Sequence, residues 1–344
     1  MKNSLLKLAV LSALGVVSAP VFAAGSLQPL VAAPTGSAYI NCYNDGRVVP
    51  PLAGPAETNL NARSNFGTTA LGGSSGVCEI TGLANESTAP LPGYGLQVTS
   101  TTQSILNPAG GTIGNVIERI WRKPAATAPV TPTNMCIIGT KVSLVNNVAY
   151  DSTSGLFELN DIARGGYSNS GTVNVGYFSA GVTPTPSPLY RAGRTFTSVQ
   201  HRAYKFAGTT PEKQNNGIGY LDLPTATSFT GAINGVNSAI NGSTVATATA
   251  AEQDAAVNSN WVDLTLDAVF SDDDGTTNPA SSMTYIEFPC NADSATVMNS
   301  VAPSGSTLGW RKAGALRLRR TAQETTVFAE ISMTGYAPPG ATIP

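Results

Sequence analysis

The clearest pattern in the chain is a strict alternation of apolar and polar residues after Trp261. Val262, Leu264, Leu266 and Ala268 would share one side of an extended chain, and polar residues alternate with them. A period of two residues is typical of a β-strand with one buried face. The pattern therefore predicts a half-buried strand over residues 261–268.

Comparable short segments recur along the rest of the chain. The connections between them are rich in Asn, Asp, Gly, Ser, Thr and Pro, the residues that turns require. About twelve short strands with polar connections predict an all-β fold. We expect an antiparallel β-sandwich, either one large sandwich or two packed ones, with long polar loops and at most one or two short helices. The further predicted strands are 38–43, 77–81, 95–101, 136–144, 156–161, 173–177, 195–199, 218–223, 284–288, 316–319 and 326–333.

Three segments leave the assignment more open. In residues 116–123 the apolar positions also fit a helical stripe, but the β-branched residues and the short length favour a strand. Residues 247–257 are Ala-rich and fit either a short surface helix or a flexible loop. Residues 124–134 contain three prolines, so a division of the chain into two subdomains at this point stays open.

The first 23 residues have the pattern of a secretory signal peptide. Lys2 and Lys7 precede or flank an apolar run, and small residues lead to Ala23. We expect cleavage after Ala23, in a manner typical of Gram-negative export. Residues 24–344 would then be extracellular or at the cell surface, with the periplasm as the alternative. No later apolar run reaches the ~18 residues of a membrane-spanning helix, so the mature chain should have no membrane span.

Charge and cysteine content fit an exported protein. Only 12% of the residues are charged, and the chain without its signal peptide carries 17 basic against 21 acidic residues. This balance argues against a nucleic-acid partner. Four cysteines in an exported chain predict two disulfides. Three pairings are conceivable, and proximity in sequence favours Cys42–Cys78, which leaves Cys136–Cys290.

One acidic cluster is a candidate metal site. Asp272, Asp274 and Asn278 follow the alternating strand and offer the oxygen ligands that Ca²⁺ prefers. Their spacing is not that of an EF-hand. A solvated hairpin turn is the simpler interpretation of the cluster, and a turn paired with a basic partner from the same chain is a further alternative. No other cofactor is predicted.

A basic cluster near the C-terminus is a candidate surface patch. Arg317 and Arg319 should point to one side of a strand while Leu316 and Leu318 are buried on the other, and Arg320 extends the cluster. Such a patch could pair with carboxylates of the same fold, contact a neighbouring subunit, bind an anionic glycan or be solvated.

No catalytic residue is predicted. The sequence Gly72-Gly73-Ser74-Ser75-Gly76 matches a hydrolase motif literally, but a predicted strand follows it where the motif needs a helix. The single histidine, His201, has no companion motif. Carboxylates on predicted strands could form a glycosidase pair, but nothing in their spacing singles one out. These carboxylates are Asp263, Asp267, Glu287 and Glu330.

The uncharged segment 24–37 bears on assembly. Leu27, Leu30 and Val31 provide a few apolar contacts, so the segment is either a frayed terminus or a strand that completes a sheet edge of its own domain or of the next subunit. The leading hypothesis is a non-enzymatic secreted or cell-surface β protein, such as an adhesin, matrix or fibre component. It would act by self-association or by binding surface glycans. The alternative is a carbohydrate-binding module or glycoside hydrolase.

Overall fold

The fold is known from a computed structural model. It describes residues 27–32, 39–42, 78–99, 102–123, 134–145, 148–150, 156–179, 182, 185–196, 232–233, 236–237, 258–270, 278–290, 309–320 and 329–343. Within these ranges the chain is all-β and contains no helix. The strands are β1 (Gln28–Leu30), β2 (Tyr39–Asn41), β3 (Gly95–Thr99), β4 (Gln103–Leu106), β5 (Thr112–Lys123), β6 (Met135–Leu144), β7 (Leu159–Gly165), β8 (Val173–Phe178), β9 (Arg191–Gly193), β10 (Ala232–Ile233), β11 (Val236–Asn237), β12 (Trp261–Ala268), β13 (Met283–Pro289), β14 (Arg311–Arg320) and β15 (Ala329–Tyr336).

The strands form two antiparallel sheets that pack together, which confirms the predicted sandwich. Sheet A has seven strands in the order β1-β8-β13-β6-β5-β3, with β4 also paired to β5. Sheet B has six strands in the order β15-β14-β7-β12-β9-β2. β10 and β11 form a separate two-stranded ribbon. Since β6 lies in sheet A, β7 in sheet B, β8 in sheet A and β9 in sheet B, the chain crosses repeatedly between the layers.

The core lies between the two sheets and follows the predicted alternation. Val262, Leu264 and Leu266 of β12 point into it and are at most 1% exposed. From sheet A, Val116, Ile120 and Ile138 are among the residues that meet them. Leu316 and Leu318 of β14 are also in this core, as predicted. Burial of these apolar side chains is the main stabilising term of the sandwich.

Both disulfides form, and their pairing is the one that sequence proximity favours. Cys42 and Cys78 are bonded, and so are Cys136 and Cys290. The first bond joins the end of β2 in sheet B to a segment hydrogen-bonded to β8 in sheet A. The second joins the neighbouring strands β6 and β13 at residues 154 positions apart. A cross-link over so long a stretch restricts the unfolded chain strongly.

The ambiguous segment 116–123 is a strand. It belongs to β5, whose residues 114–123 pair in register with residues 144–135 of β6. The connection 124–134 therefore joins two neighbouring strands of one sheet. β4 and β9 are short strands that the sequence did not predict. The predicted strand 218–223 and the Ala-rich segment 247–257 lie outside the described residues.

The outer face of each sheet is covered by chain that is not part of a sheet. Residues 80–94 lie over sheet A, where they pack around Trp121, Phe178 and Tyr285. Phe196 and the C-terminal residues 337–343 lie over sheet B beside Trp261. Side chains on these outer faces are thus partly or fully buried, and this decides the environment of the charged residues.

Candidate functional site

A buried ion pair links the two sheets through the core. Glu118 of β5 and Arg164 of β7 both point inward and are fully buried, with 2.5 Å between Oε1 and Nη1. Arg164 also donates to the Thr140 hydroxyl at 2.7 Å and to the Tyr336 carbonyl. Glu118 accepts from the backbone N–H of Tyr336 at 3.1 Å and from the Gln103 amide at 3.2 Å. These contacts pair the two charges and engage both terminal nitrogens of Arg164, although its Nε has no hydrogen-bond partner among the described residues, so the pair is structural.

The interpretation of Arg317, Arg319 and Arg320 as a surface basic patch requires correction. Arg319 and Arg320 are fully buried, and the Arg317 side chain is only 15% exposed. β14 is an interior strand between β7 and β15, and the outer face of sheet B is covered. Alternation correctly predicted which side each residue faces, but it did not predict that this side is covered.

The two arginines of the outer face pair with one carboxylate and two aromatic rings. Glu330 of β15 accepts from Arg317 at 2.5 Å and from Arg319 at 2.8 Å. Arg319 lies 4.2 Å from the Phe196 ring centroid and donates to the Phe196 carbonyl. Arg317 lies 5.0 Å from the ring of Trp261. Of the roles considered for these residues, the structure assigns Arg317 and Arg319 to pairing with a carboxylate of the same fold.

Arg320 projects from the opposite side of β14. Its guanidinium lies 5.0 Å from the centroid of the Tyr150 ring. Because consecutive residues of a strand point to opposite faces, Arg320 and Arg319 do not form one surface.

The four candidate catalytic carboxylates lie on opposite faces of the sandwich. Glu287 is on the outer face of sheet A, whereas Asp263, Asp267 and Glu330 are on the outer face of sheet B. Glu287 accepts from the Tyr94 hydroxyl and, at 2.5 Å, from the Asn174 amide. Burial, with the Glu287 hydrogen bond and charge, raises the pKa of Tyr94. Glu287 therefore cannot act in one site with the other three.

The proposed calcium ligands fall mostly outside the described residues. Asp272 and Asp274 are not described. Asn278 is described, and its backbone exchanges two hydrogen bonds with Val269, at 2.9 and 3.0 Å. This pair closes the connection that carries the acidic residues. No group of three or more potential metal-binding side chains occurs among the described residues, and calcium binding stays a prediction. His201 and the Gly72–Gly76 motif also lie outside the described residues.

The N-terminal segment contributes a strand to the edge of sheet A. β1 pairs with β8 through Gln28↔Val175, Pro29↔Asn174 and Leu30↔Val173. Leu30 is only 3% exposed and belongs to the intersheet core, whereas Val31 is 46% exposed. A proline is tolerated here because an edge strand needs no second set of donors. Within the single chain, residues 28–30 of segment 24–37 thus pair with their own sheet, and pairing with a second subunit stays a prediction.

A second short segment completes the same edge. The backbone N–H of Tyr177 donates to the Cys78 carbonyl at 3.0 Å, and the backbone N–H of Ile80 donates to the Tyr177 carbonyl at 2.8 Å. Gly176 makes this close approach feasible, since a Cβ there would lie 2.7 Å from the Cys78 carbonyl oxygen. β1 and the chain around the first disulfide therefore share the edge that β8 would otherwise expose.

A cleft lies between sheet A and the segment that covers it. Its volume is about 280 Å³. The covering segment is fixed by an Asx turn, in which Asn85 accepts from the N–H of Ser87 at 2.8 Å, and by a bond from the Trp121 indole to the Ser87 carbonyl. The lining residues are Ala84, Asn85, Glu86, Ser87, Arg119, Phe178 and Val182.

The charges at this cleft are not balanced. Lys141 and Glu86 form an ion pair at 2.5 Å, with side chains 13% and 17% exposed. Arg119 faces the cleft, and its Nε and Nη1 are buried without a hydrogen-bond partner among the described residues. The hydroxyl of fully buried Tyr285 also lacks a hydrogen-bond partner there. Two cations thus face one carboxylate.

Comparisons with known proteins identified no relative of this chain. The chain matches no protein-family model, no curated protein and no solved structure. Among the described residues there is no helix long and apolar enough to cross a membrane.

Sequence reasoning missed both the intersheet ion pair and the cleft. One signal for the first was present: Glu118 occupies an inward position between Val116 and Ile120, where an apolar residue is expected. No comparable signal marks Arg119, because it lies on the polar side of the same alternation. Its position in a cleft depends on the covering segment, which the alternation does not predict.

Proposed function

We propose that this chain is a non-enzymatic exported protein of the cell surface or extracellular matrix that acts through its surfaces. Its signal-peptide pattern supports export, and its two disulfides fit an oxidising compartment outside the cytoplasm. Self-assembly as an adhesin, matrix or fibre component is the specific role we infer.

The observation that carries this proposal is the pairing of β1 with the edge of sheet A. β1 has only three residues and places one large apolar side chain, Leu30, in the intersheet core. The same backbone bonds and the same contact can form with β8 of a second molecule, since edge pairing depends on the strand and its pocket and not on chain connectivity. Exchange of β1 would link successive subunits without a new interface.

The alternative hydrolase receives less support. A glycoside hydrolase needs two carboxylates facing each other across a cleft. Glu287 is separated from the other candidates by the full thickness of the sandwich, and Glu330 is held by Arg317 and Arg319. Glu287 and Glu330 therefore have structural partners, which favours a role without catalysis for these two carboxylates.

Deletion of residues 25–35 tests the exchange of β1. We expect the shortened protein to keep both disulfides and its β-sheet circular dichroism but to remain monomeric, while the full chain forms sedimentable assemblies. A synthetic peptide of residues 25–35 should bind the shortened protein, since it restores the missing edge strand. The matched control is the same peptide with Leu30→Asp, which keeps the backbone pairing but places a charge in the core.

Three results would contradict the proposal. The full chain could stay monomeric at all concentrations, the shortened chain could assemble as well as the full one, or the control peptide could bind as tightly as the natural one. Fractionation of the producing cells adds an independent check, because the proposal requires the mature protein outside the cytoplasm.

A further inference from the structure

The unbalanced charge in the cleft of sheet A points to a ligand. A guanidinium whose Nε and Nη1 are withdrawn from water is costly unless an acceptor meets it. Buried arginines elsewhere in the sandwich have an acceptor for at least one nitrogen, although each also has a nitrogen without one in the part of the chain that the structure describes: Arg164 has Glu118, Arg319 has Glu330, and Arg194 has the carbonyls of Tyr167 and Ser259. Nε and Nη1 of Arg119 have no hydrogen-bond partner among the described residues, and the side chain lines a cleft of about 280 Å³.

The strand register explains how Arg119 is positioned on the outer face of sheet A. Arg119 of β5 and Tyr285 of β13 are both cross-strand neighbours of Gly139 in β6, so they flank this glycine on the outer face of sheet A. The Trp121 ring occupies the space above Gly139, where a Cβ would lie 2.6 Å from Cζ3. Trp121 and Tyr285 meet edge to face at 5.7 Å, which holds the tyrosine in place.

Neighbouring groups do not neutralise Arg119. Glu86 is the carboxylate of the lining, and it is engaged by Lys141 at 2.5 Å. The buried Tyr285 hydroxyl experiences the charges of both Glu86 and Arg119, and burial raises its pKa, so it remains a neutral donor. The lining of the cleft thus presents a planar cation, while Tyr285, which is fully buried and not a lining residue, stays neutral.

The residues that line the cleft indicate the shape and polarity of a ligand as well as its charge. Phe178 and Val182 provide an apolar wall, and Phe178 is 1% exposed. Asn85 and Ser87 provide polar groups at the rim. Planar guanidinium groups match carboxylates with two parallel hydrogen bonds. A lining with both apolar and polar side chains suits a sugar ring, which has an apolar face and hydroxyl edges.

We propose that this cleft binds the carboxylate of one acidic monosaccharide unit, with Arg119 as the anchoring residue. The volume accommodates a single ring, close to the lower limit of ordinary ligand pockets. The carboxylate of the ligand would pair with the guanidinium of Arg119, which lines the cleft. This inference goes beyond the exchange of β1 and does not depend on it, although an acidic glycan would suit a protein of the cell surface.

The experiment is a titration of the full mature chain with galacturonate and with galactose, followed by NMR or calorimetry. The two sugars differ only at C6, which is a carboxylate in galacturonate and a hydroxymethyl group in galactose. We expect galacturonate to bind at least ten times more tightly than galactose. Arg119→Met should lower the galacturonate affinity at least tenfold, and Arg119→Lys should lower it less, because it keeps the charge but loses the planar fork.

Arg122→Met is the matched control. Arg122 lies on the same strand three residues away and therefore faces the other side of sheet A, where it donates to Asn134. The Arg122→Met variant should bind galacturonate with the same affinity as the unmodified chain. Circular dichroism and complete disulfides should confirm that each variant is folded before its affinity is compared.

Specific outcomes would overturn the inference. Equal affinity for galactose and galacturonate would exclude the carboxylate as the recognised group, and undiminished binding by Arg119→Met would exclude this cleft. Equal binding of glutamate would overturn the assignment to a sugar. Undiminished assembly of the β1 deletion would contradict the exchange of β1 and leave each of these binding results unchanged, so the two proposals can fail separately.

Discussion

The outer faces of sheets A and B are built alike around a tryptophan, but they place their arginines in different environments. Trp121 covers Gly139 on sheet A, and Trp261 covers Gly165 on sheet B, where a Cβ would lie 3.1 Å from the indole. On sheet B, Arg317 and Arg319 share Glu330. On sheet A, Arg119 faces a cleft, and its Nε and Nη1 have no hydrogen-bond partner among the described residues.

This difference separates a structural charge from a candidate binding residue. An arginine whose donors are occupied by its own chain stabilises the fold and has little left for a ligand. An arginine whose buried nitrogens lack acceptors weakens the fold and strengthens any complex that supplies an acceptor. The core pair Glu118–Arg164 is the extreme of the first kind. Stability measurements on matched variants can therefore rank the charged residues by role.

The largest effect is expected at the core pair. Glu118→Ala leaves the guanidinium of Arg164 buried without its carboxylate, which should lower the free energy of unfolding by about 3–5 kcal/mol. Urea denaturation followed by circular dichroism measures this loss. The double variant Glu118→Met with Arg164→Met should recover most of it, because an apolar pair removes both desolvated charges. A single-variant loss below about 1 kcal/mol would contradict a structural role for the pair.

A smaller effect is expected on the outer face of sheet B. Glu330→Gln removes the charge that Arg317 and Arg319 share, and Arg319 is fully buried. We expect a loss of about 2 kcal/mol in the free energy of unfolding, within the range for hydrogen bonds to charged groups. Glu86→Gln on sheet A is the matched comparison. It breaks one partly exposed pair and should cost about 1 kcal/mol or less. A larger loss for Glu86→Gln than for Glu330→Gln would reverse the comparison.

The sequence predicted those parts of the fold that depend on local periodicity. Alternation in 261–268 located β12 and its inward side chains, and proximity of Cys42 to Cys78 favoured the observed pairing. Leu316 and Leu318 were likewise placed correctly in the core. In each case the controlling interaction is within the strand or between residues near one another in the chain.

The remaining features depend on contacts between distant segments. Alternation places Arg319 opposite Leu318, but the burial of Arg319 depends on Phe196, more than a hundred residues earlier in the chain. The cleft at Arg119 exists because residues 84–87 cross the outer face of sheet A, and no periodic pattern in that segment predicts its path. The face to which a side chain points is set by the local strand, whereas the burial of that face depends on which distant segment packs over it.

The smallest and most discriminating effect is expected at Arg119. Arg119→Met keeps the apolar stem that packs on sheet A and removes a guanidinium with buried, unpartnered nitrogens. The free energy of unfolding should therefore change by no more than about 0.5 kcal/mol or should increase, whereas Arg319→Met should lower it by about 2 kcal/mol because Glu330 and the Phe196 carbonyl lose a donor. Both variants are measured by urea denaturation without ligand. A loss for Arg119→Met as large as that for Arg319→Met would mean that Arg119 has a structural partner in the folded chain, and the contrast between the two faces would then disappear.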